Sequence, residues 1–371
     1  MTVMREVVVL VEHAGLHLGS LSFEVPSSPW WNDVEPVTAH LDAVLGVTSA
    51  VLRLVSVAGG GRTRDGRVTY LVEVDRVPTR GLLLRSPDPE LPEDPLRLPW
   101  ACPGGPRALL DWADGLVTRT GPAVQVKTWN LSCVYRLPTA SGPVWLKATP
   151  PFLADEAAVV ALVAGVAPDL APRVLASEPG RTLSADAGGH DCWETTSADL
   201  RAVLPRFTAA QVALAGSPDL AALRRRDVGI GSHGLPETLL HGDFHCGNWR
   251  SSGVVLDWSD AHRGNPALDA ARMLGSLPVG LRGIAERVWV EGWREAFPGS
   301  DPVAALGEAR SAVHLLAAEV YAGFLAGIER SERVYHEGDV ERALSDARAA
   351  AGAVARAAAG GAGQAAGAPE S

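Results

Sequence analysis

The chain has 371 residues, with 33 Lys or Arg against 43 Asp or Glu, and its formal net charge is −10. Hydrophobic residues make up 47% and charged residues 20%, which is typical of a globular protein and excludes a largely disordered chain. The acidic balance argues against a nucleic-acid partner, because nucleic-acid binding needs a basic face. No stretch of about 18 uncharged apolar residues is present, so no membrane partner is expected either.

The cysteines and the N-terminal sequence bear on the compartment. The four cysteines are scattered without a CxxC pair, which predicts neither a disulfide framework nor a zinc ribbon. The first apolar run, Val7–Val11, is too short for the core of a signal peptide. These features predict a soluble cytoplasmic protein, and nothing in the sequence indicates its oligomeric state.

Residues 1–88 are expected to form a small α/β module of unknown role. Strands are predicted at Val7–Val11, Val51–Val55 and Val68–Val74. A helix is predicted between the first two of them, at Val37–Leu45. Residues 89–114 are rich in proline, which removes backbone donors and fixes φ. They are therefore expected to form a linker without regular structure.

Residues 115–190 are expected to form a small β-rich segment, with strands over 123–136, 144–148 and 173–176 and a helix over 155–163. From residue 191 to residue 359, helical spacing dominates. Helices are predicted there over 198–215, 267–277, 283–297, 303–327 and 339–359. The Gly- and Ala-rich end, residues 360–371, is expected to be disordered.

The strongest chemical signal is the run from His241 to Asn248, followed by an apolar strand that ends at Asp257. Asp243 and Asn248 are five residues apart on a tight loop that contains glycine, and Asp257 can return to the same point. Asn and Asp side chains supply the oxygen ligands that Mg²⁺ prefers. The remaining carboxylate can orient or deprotonate an acceptor hydroxyl, as phosphoryl transfer requires.

This run resembles the aminoglycoside phosphotransferase and choline kinase-like family, which shares its fold with protein kinases. The family pattern H-G-D-x-H-x-x-N, then D-[W/F], is matched at His241, Gly242, Asp243, His245, Asn248, Asp257 and Trp258. The resemblance implies an α+β, two-lobed protein kinase-like fold after the N-terminal module, with a β-rich N-lobe over 115–190 and a helical C-lobe over 191–359. It also implies that Asp243 is the catalytic base and that Asn248 and Asp257 bind Mg²⁺.

The resemblance assigns supporting roles to three further residues of this region. His241 is expected to brace the loop and His245 to pack near the site. Asp269, in a stretch similar to the family's G-x-P-x-x-D-x-A, is expected to bond the catalytic loop rather than the substrate.

Only two residues of the chain are lysines, Lys127 and Lys147. A lysine in so arginine-rich a chain is a candidate for a role that a planar guanidinium cannot fill. Lys147 ends a predicted strand, and Glu156 follows nine residues later on a predicted helix. In the related fold a strand lysine binds the nucleotide phosphates and a helix glutamate holds it. The resemblance therefore implies these roles for Lys147 and Glu156, the alternative being a surface ion pair.

The loop between the first two strands of the β-rich segment departs from the family pattern. It contains no glycine, although glycine lets backbone amides approach phosphates closely. Asn130 and Ser132 are therefore expected to contact the nucleotide through side chains and amides. The hinge that meets the base is expected near Leu183–Asp186.

The sequence thus predicts an ATP-dependent, or GTP-dependent, phosphotransferase acting on a hydroxyl of a small molecule. The acceptor classes that fit are an aminoglycoside, an amino sugar, another sugar, an amino alcohol or a secondary metabolite. Residues 301–346 carry nine acidic residues and four arginines, which favours a cationic or neutral acceptor. Two alternatives stay open: a nucleotide-binding pseudokinase, suggested by the glycine-free loop, and a metal-dependent hydrolase with His241 and His245 as zinc ligands.

Overall fold

The computed structural model describes residues 4–26, 30–59, 66–81, 83–84 and 91–365, with side chains up to residue 352. The chain divides into two compact units. Unit 1 comprises Met1–Phe152, Arg173–Asp186 and Phe324–Glu337. Unit 2 comprises Leu153–Pro172, Ala187–Gly323 and Gly338–Ser371. Within the described ranges, no helix combines the length and the apolar character needed to cross a membrane.

The first sheet of unit 1 is built from residues of the predicted N-terminal module. Its strands are β1 (Met4–His13), β2 (Leu16–Pro26), β3 (Ser49–Ala58) and β4 (Arg67–Val74), in the order β2-β1-β4-β3. The central pair β1–β4 is parallel and the other pairs are antiparallel. Helix α1 (Glu35–Leu45) contributes its buried face, including Val37 and Leu41, to the same hydrophobic core. Strand β2 lies outside the predicted strands.

The segment predicted as a linker contains a helix. After a short 3₁₀ turn (Pro99–Ala101), α2 runs over Gly105–Asp114, so the last ten residues of that segment are helical. Pro106 lies in the first turn, where a missing backbone N–H leaves no hydrogen bond unmade. Residues 85–90, at the start of the proline-rich segment, lie outside the described residues.

The second sheet of unit 1 is fully antiparallel. Its strands are β5 (Val124–Trp129), β6 (Ser132–Leu137), β7 (Val144–Ala148), β8 (Val174–Glu178) and β9 (Arg181–Ala185), in the order β5-β6-β7-β9-β8. Three residues of the expected hinge, 183–185, lie in β9. Asp186, which follows β9, is the last residue of this part of unit 1.

Unit 2 is mostly helical. Its helices are α3 (Glu156–Val166), α4 (Ser197–Leu214), α5 (Ala267–Ser276), α6 (Val279–Ala296), the greater part of α7 (Pro302–Gly327) and α8 (Asp339–Ala365). A two-stranded ribbon, β10 (Thr238–Leu240) with β11 (His262–Gly264), carries the candidate site. The predicted helices are confirmed, and so is the α+β class.

Two boundaries differ from the expectation. Helix α3, expected in the β-rich lobe, belongs to unit 2, whereas residues 324–337 of the expected helical lobe belong to unit 1. Helix α8 runs to Ala365, so the first six residues of the predicted disordered tail are helical. The remaining tail residues lie outside the described part of the chain.

Candidate active site

A buried carboxylate anchors the loop that follows β10. Asp269, in the first turn of α5, accepts hydrogen bonds from the backbone N–H groups of His241 (2.7 Å) and Gly242 (3.1 Å) and from the side-chain amide of Gln211 (3.1 Å). Burial raises the pKa of Asp269 to about 7, although the two backbone hydrogen bonds oppose the shift. Asp269 therefore holds the start of the loop through its backbone.

The tight turn of the loop requires glycine at position 242. Gly242 has a φ of 85°, in the left-handed region that side chains disfavour. A Cβ atom at this position would lie 2.2 Å from the backbone oxygen of Asp260. The absence of a side chain thus lets the loop pass directly over the segment that follows Asp257.

His241 braces the loop from inside. Its Nδ1 accepts a hydrogen bond from the backbone N–H of Asp243 (3.2 Å), so the hydrogen is on Nε2, which donates to the backbone oxygen of Leu256 (2.9 Å). Burial lowers the pKa of His241 and favours this neutral form. One ring therefore ties the loop to the strand that leads to Asp257.

Asp243 is in contact with three N–H donors from two side chains. The Nε and Nη2 atoms of Arg272 donate to its Oδ1 at 2.9 and 2.6 Å, and Nε2 of His245 donates to its Oδ2 at 3.2 Å. Burial acts to raise the pKa of the Asp243 carboxyl, but the His245 hydrogen bond and the charge of Arg272 outweigh it and hold that pKa well below its usual range. The side chain remains 32% exposed, so a ligand can reach this carboxylate.

The tautomer of His245 follows from its second hydrogen bond. Its Nδ1 accepts from the backbone N–H of Gly247 at 3.0 Å, so Nε2 carries the hydrogen that is donated to Asp243. The ring of Trp193, 56% exposed, packs against His245 with the centroids 5.3 Å apart.

Both ring nitrogens of His241 and of His245 are engaged in hydrogen bonds. The zinc-hydrolase alternative would need free lone pairs on these nitrogens, and the geometry does not support it.

Asn248 and Asp257 are brought together by a short hairpin. Trp249 and Val255 form a β-bridge, and the backbone N–H of Leu256 donates to the oxygen of Asn248 at 2.8 Å. The Asn248 amide donates to the backbone oxygen of Asp243 at 3.0 Å, which leaves its own side-chain oxygen for another partner. Asp257 has a φ of 64°, a conformation that aspartate tolerates better than most residues, and its Oδ1 accepts from Ser259 Oγ at 2.7 Å.

Glu156 lies in unit 2 with this hairpin. It is the first residue of α3, and its Oε1 accepts a hydrogen bond from the backbone N–H of Trp258 at 3.0 Å. The expected helix glutamate therefore supports the turn that immediately follows Asp257. Unit 2 in this way brings together all the predicted site residues that lie within it: Glu156, His241, Asp243, His245, Asn248, Asp257 and Asp269.

The remaining predicted residues lie in unit 1. Lys147 is on β7, in register with Val134 of β6. Asn130 and Ser132, at the turn between β5 and β6, are buried. The Asn130 amide contacts Nε2 of His336 at 3.3 Å, and Ser132 Oγ accepts from the indole of Trp129 at 3.1 Å. Both side chains have partners inside unit 1, whereas the sequence led us to expect that their side chains and backbone amides contact the nucleotide.

Two acidic residues of the segment 301–346 form ion pairs with arginines. Glu319 forms ion pairs with Arg226 (2.9 Å) and Arg224 (3.4 Å). Glu329 belongs to unit 1, where it is nearly buried and forms an ion pair with Arg97 at 2.8 Å. These two carboxylates are therefore compensated locally, each within its own unit.

Sequence reasoning missed Arg272 and Trp193. Arg272 lies three residues after Asp269 on α5, and residues three apart share one face of a helix. The spacing could therefore have indicated that Arg272 faces the same loop as Asp269. Trp193 lies in an irregular segment that reaches the loop only through the tertiary fold. No local pattern in the sequence points to it.

Part of this chain is similar to a known protein family. Residues 176–306 match the model of a family described as "Phosphotransferase enzyme family". A search of curated proteins finds no match. The matched range contains the loop, the hairpin and α5, whereas Lys147 and Glu156 precede it.

Several solved structures are similar to this chain. They include a choline/ethanolamine kinase family protein from Mesorhizobium loti, with 18% identity over 65% of this chain and 98% of that one and a TM-score of 0.42. A macrolide 2'-phosphotransferase from Brachybacterium faecium has 19% identity over 63% and 97%, with a TM-score of 0.46. The choline kinase of Streptococcus pneumoniae has 11% identity over 66% and 99%, with a TM-score of 0.45.

The resemblance found in the sequence is confirmed by the family match, and the order of sheet and helices agrees with the kinase-like class that it implied. Residues 176–306, which carry the loop after β10, the hairpin and the helix α5, are therefore similar to the phosphotransferase enzyme family.

Proposed function

We propose that the protein transfers the γ-phosphoryl group of ATP, or of GTP, to a hydroxyl group of a small molecule. The observation that carries the proposal is the partly exposed Asp243 carboxylate on a loop that also carries Asn248, whose backbone is hydrogen-bonded to the strand that leads to Asp257. A carboxylate beside two oxygen ligands is the arrangement that phosphoryl transfer to an alcohol needs.

Asn248 and Asp257 have the donor chemistry for Mg²⁺. Each offers a side-chain oxygen, and Mg²⁺ sites of this kind use one or two protein ligands with phosphates and water at the other positions. When bound, the ion would neutralise charge on the phosphate oxygens.

Asp243 acts on the acceptor. Its carboxylate receives the hydrogen of the acceptor hydroxyl, and the acceptor oxygen attacks the γ-phosphorus. The bond from that phosphorus to the bridging oxygen of the nucleotide breaks, and the nucleoside diphosphate leaves. Because its pKa lies below the usual range, Asp243 is ionised and can accept the hydrogen bond of the hydroxyl before it takes the proton.

Lys147 and Glu156 complete the proposed machinery. Lys147 supplies a compact positive charge for the nucleotide phosphates. Glu156 supports the turn after Asp257 through the backbone of Trp258. The side chains of Asn130 and Ser132 are left out of the proposed nucleotide site because they are buried and engaged within unit 1.

A second candidate function is nucleotide binding without transfer. The buried, glycine-free turn between β5 and β6 favours it, since that turn offers no side chain to the phosphates. The intact trio Asp243, Asn248 and Asp257 favours the enzyme.

The test is mass spectrometry of a pool of amino sugars, sugars, amino alcohols and aminoglycosides incubated with Mg–ATP and the protein. The proposal expects a product heavier by one phosphate with the wild type and none with Asp243→Asn. ATP binding by both proteins without any product would favour the second candidate. Absence of both binding and product would contradict both candidates.

A further inference from the structure

The two oxygens of the Asp243 carboxylate are unequally occupied. Oδ1 accepts both hydrogen bonds from Arg272, at 2.9 and 2.6 Å, whereas Oδ2 accepts a single bond from His245 at 3.2 Å. A carboxylate oxygen has two lone-pair sites. The contacts therefore saturate Oδ1 and leave one acceptor site on Oδ2.

We propose that Arg272 is a positioning residue that occupies Oδ1, so that the acceptor hydroxyl is received at Oδ2. The inference rests on the proposed function. It goes beyond that function because it names the oxygen that receives the hydroxyl and the residue that selects it.

The same helix holds both the backbone and the carboxylate of the loop. Asp269 of α5 binds the backbone N–H groups of His241 and Gly242, and Arg272, one turn further along α5, binds Asp243. His245 holds the other oxygen and is itself fixed by the backbone of Gly247. The carboxylate is therefore held from both sides.

Arginine is suited to this role for a geometric reason. Two N–H groups of one planar guanidinium meet a single oxygen, which restricts rotation of the carboxylate more than one donor can. A lysine offers a single flexible ammonium group, so it can keep the charge at this position but not the double contact.

The kinetic test compares Arg272→Met and Arg272→Lys in the full chain, with Mg–ATP and the acceptor identified from the pool. We expect Arg272→Met to lower kcat about 100-fold through misplacement of Asp243, with the KM for ATP changed by less than about threefold. Arg272→Lys is expected to fall between Arg272→Met and the wild type. A kcat within about twofold of the wild type for Arg272→Met would overturn the inference.

The matched control is Arg310→Met, which breaks another arginine–carboxylate pair of unit 2. Arg310 binds Glu286 at 2.8 Å, and the two side chains are 47% and 37% exposed, against 42% and 32% for Arg272 and Asp243.

Chemical rescue offers a further test. Added guanidinium, on the order of tens of millimolar and below denaturing concentrations, is expected to restore part of the kcat of Arg272→Ala. Failure of this rescue, or a kcat loss in Arg310→Met equal to that in Arg272→Met, would count against the positioning role.

A measurement without turnover tests the pair in solution. In a double-mutant cycle, the melting temperature lost through Arg272→Met is expected to be about 3 °C greater in the wild-type background than in the Asp243→Asn background. Additive losses would overturn the inference even if the protein transfers phosphate. A wild type that transfers phosphate to no acceptor would instead contradict the proposed function, and the positioning role would fall with it.

Discussion

The carboxylates of Asp269 and Asp243 belong to the same site but differ in their surroundings. Asp269 is buried and accepts two backbone hydrogen bonds, whereas Asp243 is partly exposed and is held by Arg272 and His245. The first keeps the loop in place, and the second is available to a ligand. Substitutions at the two positions should therefore affect different properties.

We expect Asp269→Asn to lower the free energy of unfolding by about 1–3 kcal/mol, because one of the two loop amides then faces an N–H₂ group instead of an acceptor. Chemical denaturation followed by circular dichroism measures the change. Asp346→Asn, on an exposed position of α8, is the control and should leave stability unchanged within about 0.5 kcal/mol. Equal stability of the two variants would contradict the anchoring role.

Gly242→Ala tests the turn itself. The added Cβ would meet the Asp260 oxygen at 2.2 Å in a left-handed backbone conformation, so we expect a loss of about 2 kcal/mol or more and loss of transfer activity. Gly307→Ala, within α7 where a Cβ meets nothing within 4 Å, is the control. It should stabilise the protein by about 0.5–1 kcal/mol, and a stable Gly242→Ala variant would refute the close approach.

Lys147 can be tested by changing its shape while keeping its charge. If a compact ammonium group is needed, Lys147→Ala and Lys147→Arg should both lower kcat/KM for ATP, by about 100-fold for the alanine variant. Full activity of Lys147→Arg would show that charge alone suffices. Full activity of Lys147→Ala would remove Lys147 from the proposed site.

Residue spacing could indicate that Asp243, Asn248 and Asp257 share one loop and one hairpin, because their separation along the chain is set by these short elements. It could not reveal that Asn130 and Ser132 face inward, since their partners His336 and Trp129 are brought to the turn by tertiary packing. The position of Arg272 near the loop could be predicted only from that of Asp269, because the two residues are neighbours on one face of a helix.

At the scale of elements, the β10–β11 ribbon and the hairpin between Trp249 and Val255 present the polar residues of the site at the ends of short strands. Helices with a regular apolar spacing were predicted to within a few residues. Strands β2 and β9 were missed: in β2 exposed and buried positions mix, and β9 has a single buried residue. These two strands are held in their sheets by pairing with neighbouring strands, and the local sequence does not show this pairing.

The buried histidine of β11 makes unit 2 sensitive to acid. Burial lowers the pKa of His262 to about 4, below its unfolded value of 6.5. The unfolded chain therefore binds a proton first, and stability present above pH 6.5 is lost as the pH falls towards 4. The loss attributable to His262 is about 3 kcal/mol.

His262→Gln should flatten this part of the stability profile, as measured by chemical denaturation between pH 7 and pH 4. His190→Gln, at an exposed position, should keep the wild-type slope. Identical pH slopes for wild type and His262→Gln would contradict the burial argument.

On the scale of the whole molecule, the predicted N-terminal module is not separate from the second sheet. The backbone N–H of Val34 donates to the oxygen of Val126 at 3.1 Å, so residues next to α1 extend the edge of β5. The side chain of Gln125 exchanges two hydrogen bonds with the backbone of Val51, at 2.8 and 2.9 Å. Composition suggested a boundary near residue 88, but boundaries depend on such long-range contacts.

We therefore expect a variant lacking residues 1–88 to lose cooperative unfolding of unit 1, because the edge of β5 and the buried Gln125 lose their partners. Differential scanning calorimetry and hydrogen exchange of β5–β7 measure this loss. A cooperative transition with protected amides in these strands would show that the module is dispensable for folding.

The most direct test of the central claim follows the fate of the γ-phosphoryl group of ATP labelled with oxygen-18 at its non-bridging γ positions. Transfer to a hydroxyl should yield an acceptor phosphate ester that carries the labelled oxygens and takes its ester oxygen from the acceptor. The ester should form with Mg²⁺ and wild-type protein and be absent with Asp243→Asn. Label that accumulates only as inorganic phosphate, whatever acceptor is offered, would mean attack by water and would contradict a phosphotransferase acting on a hydroxyl.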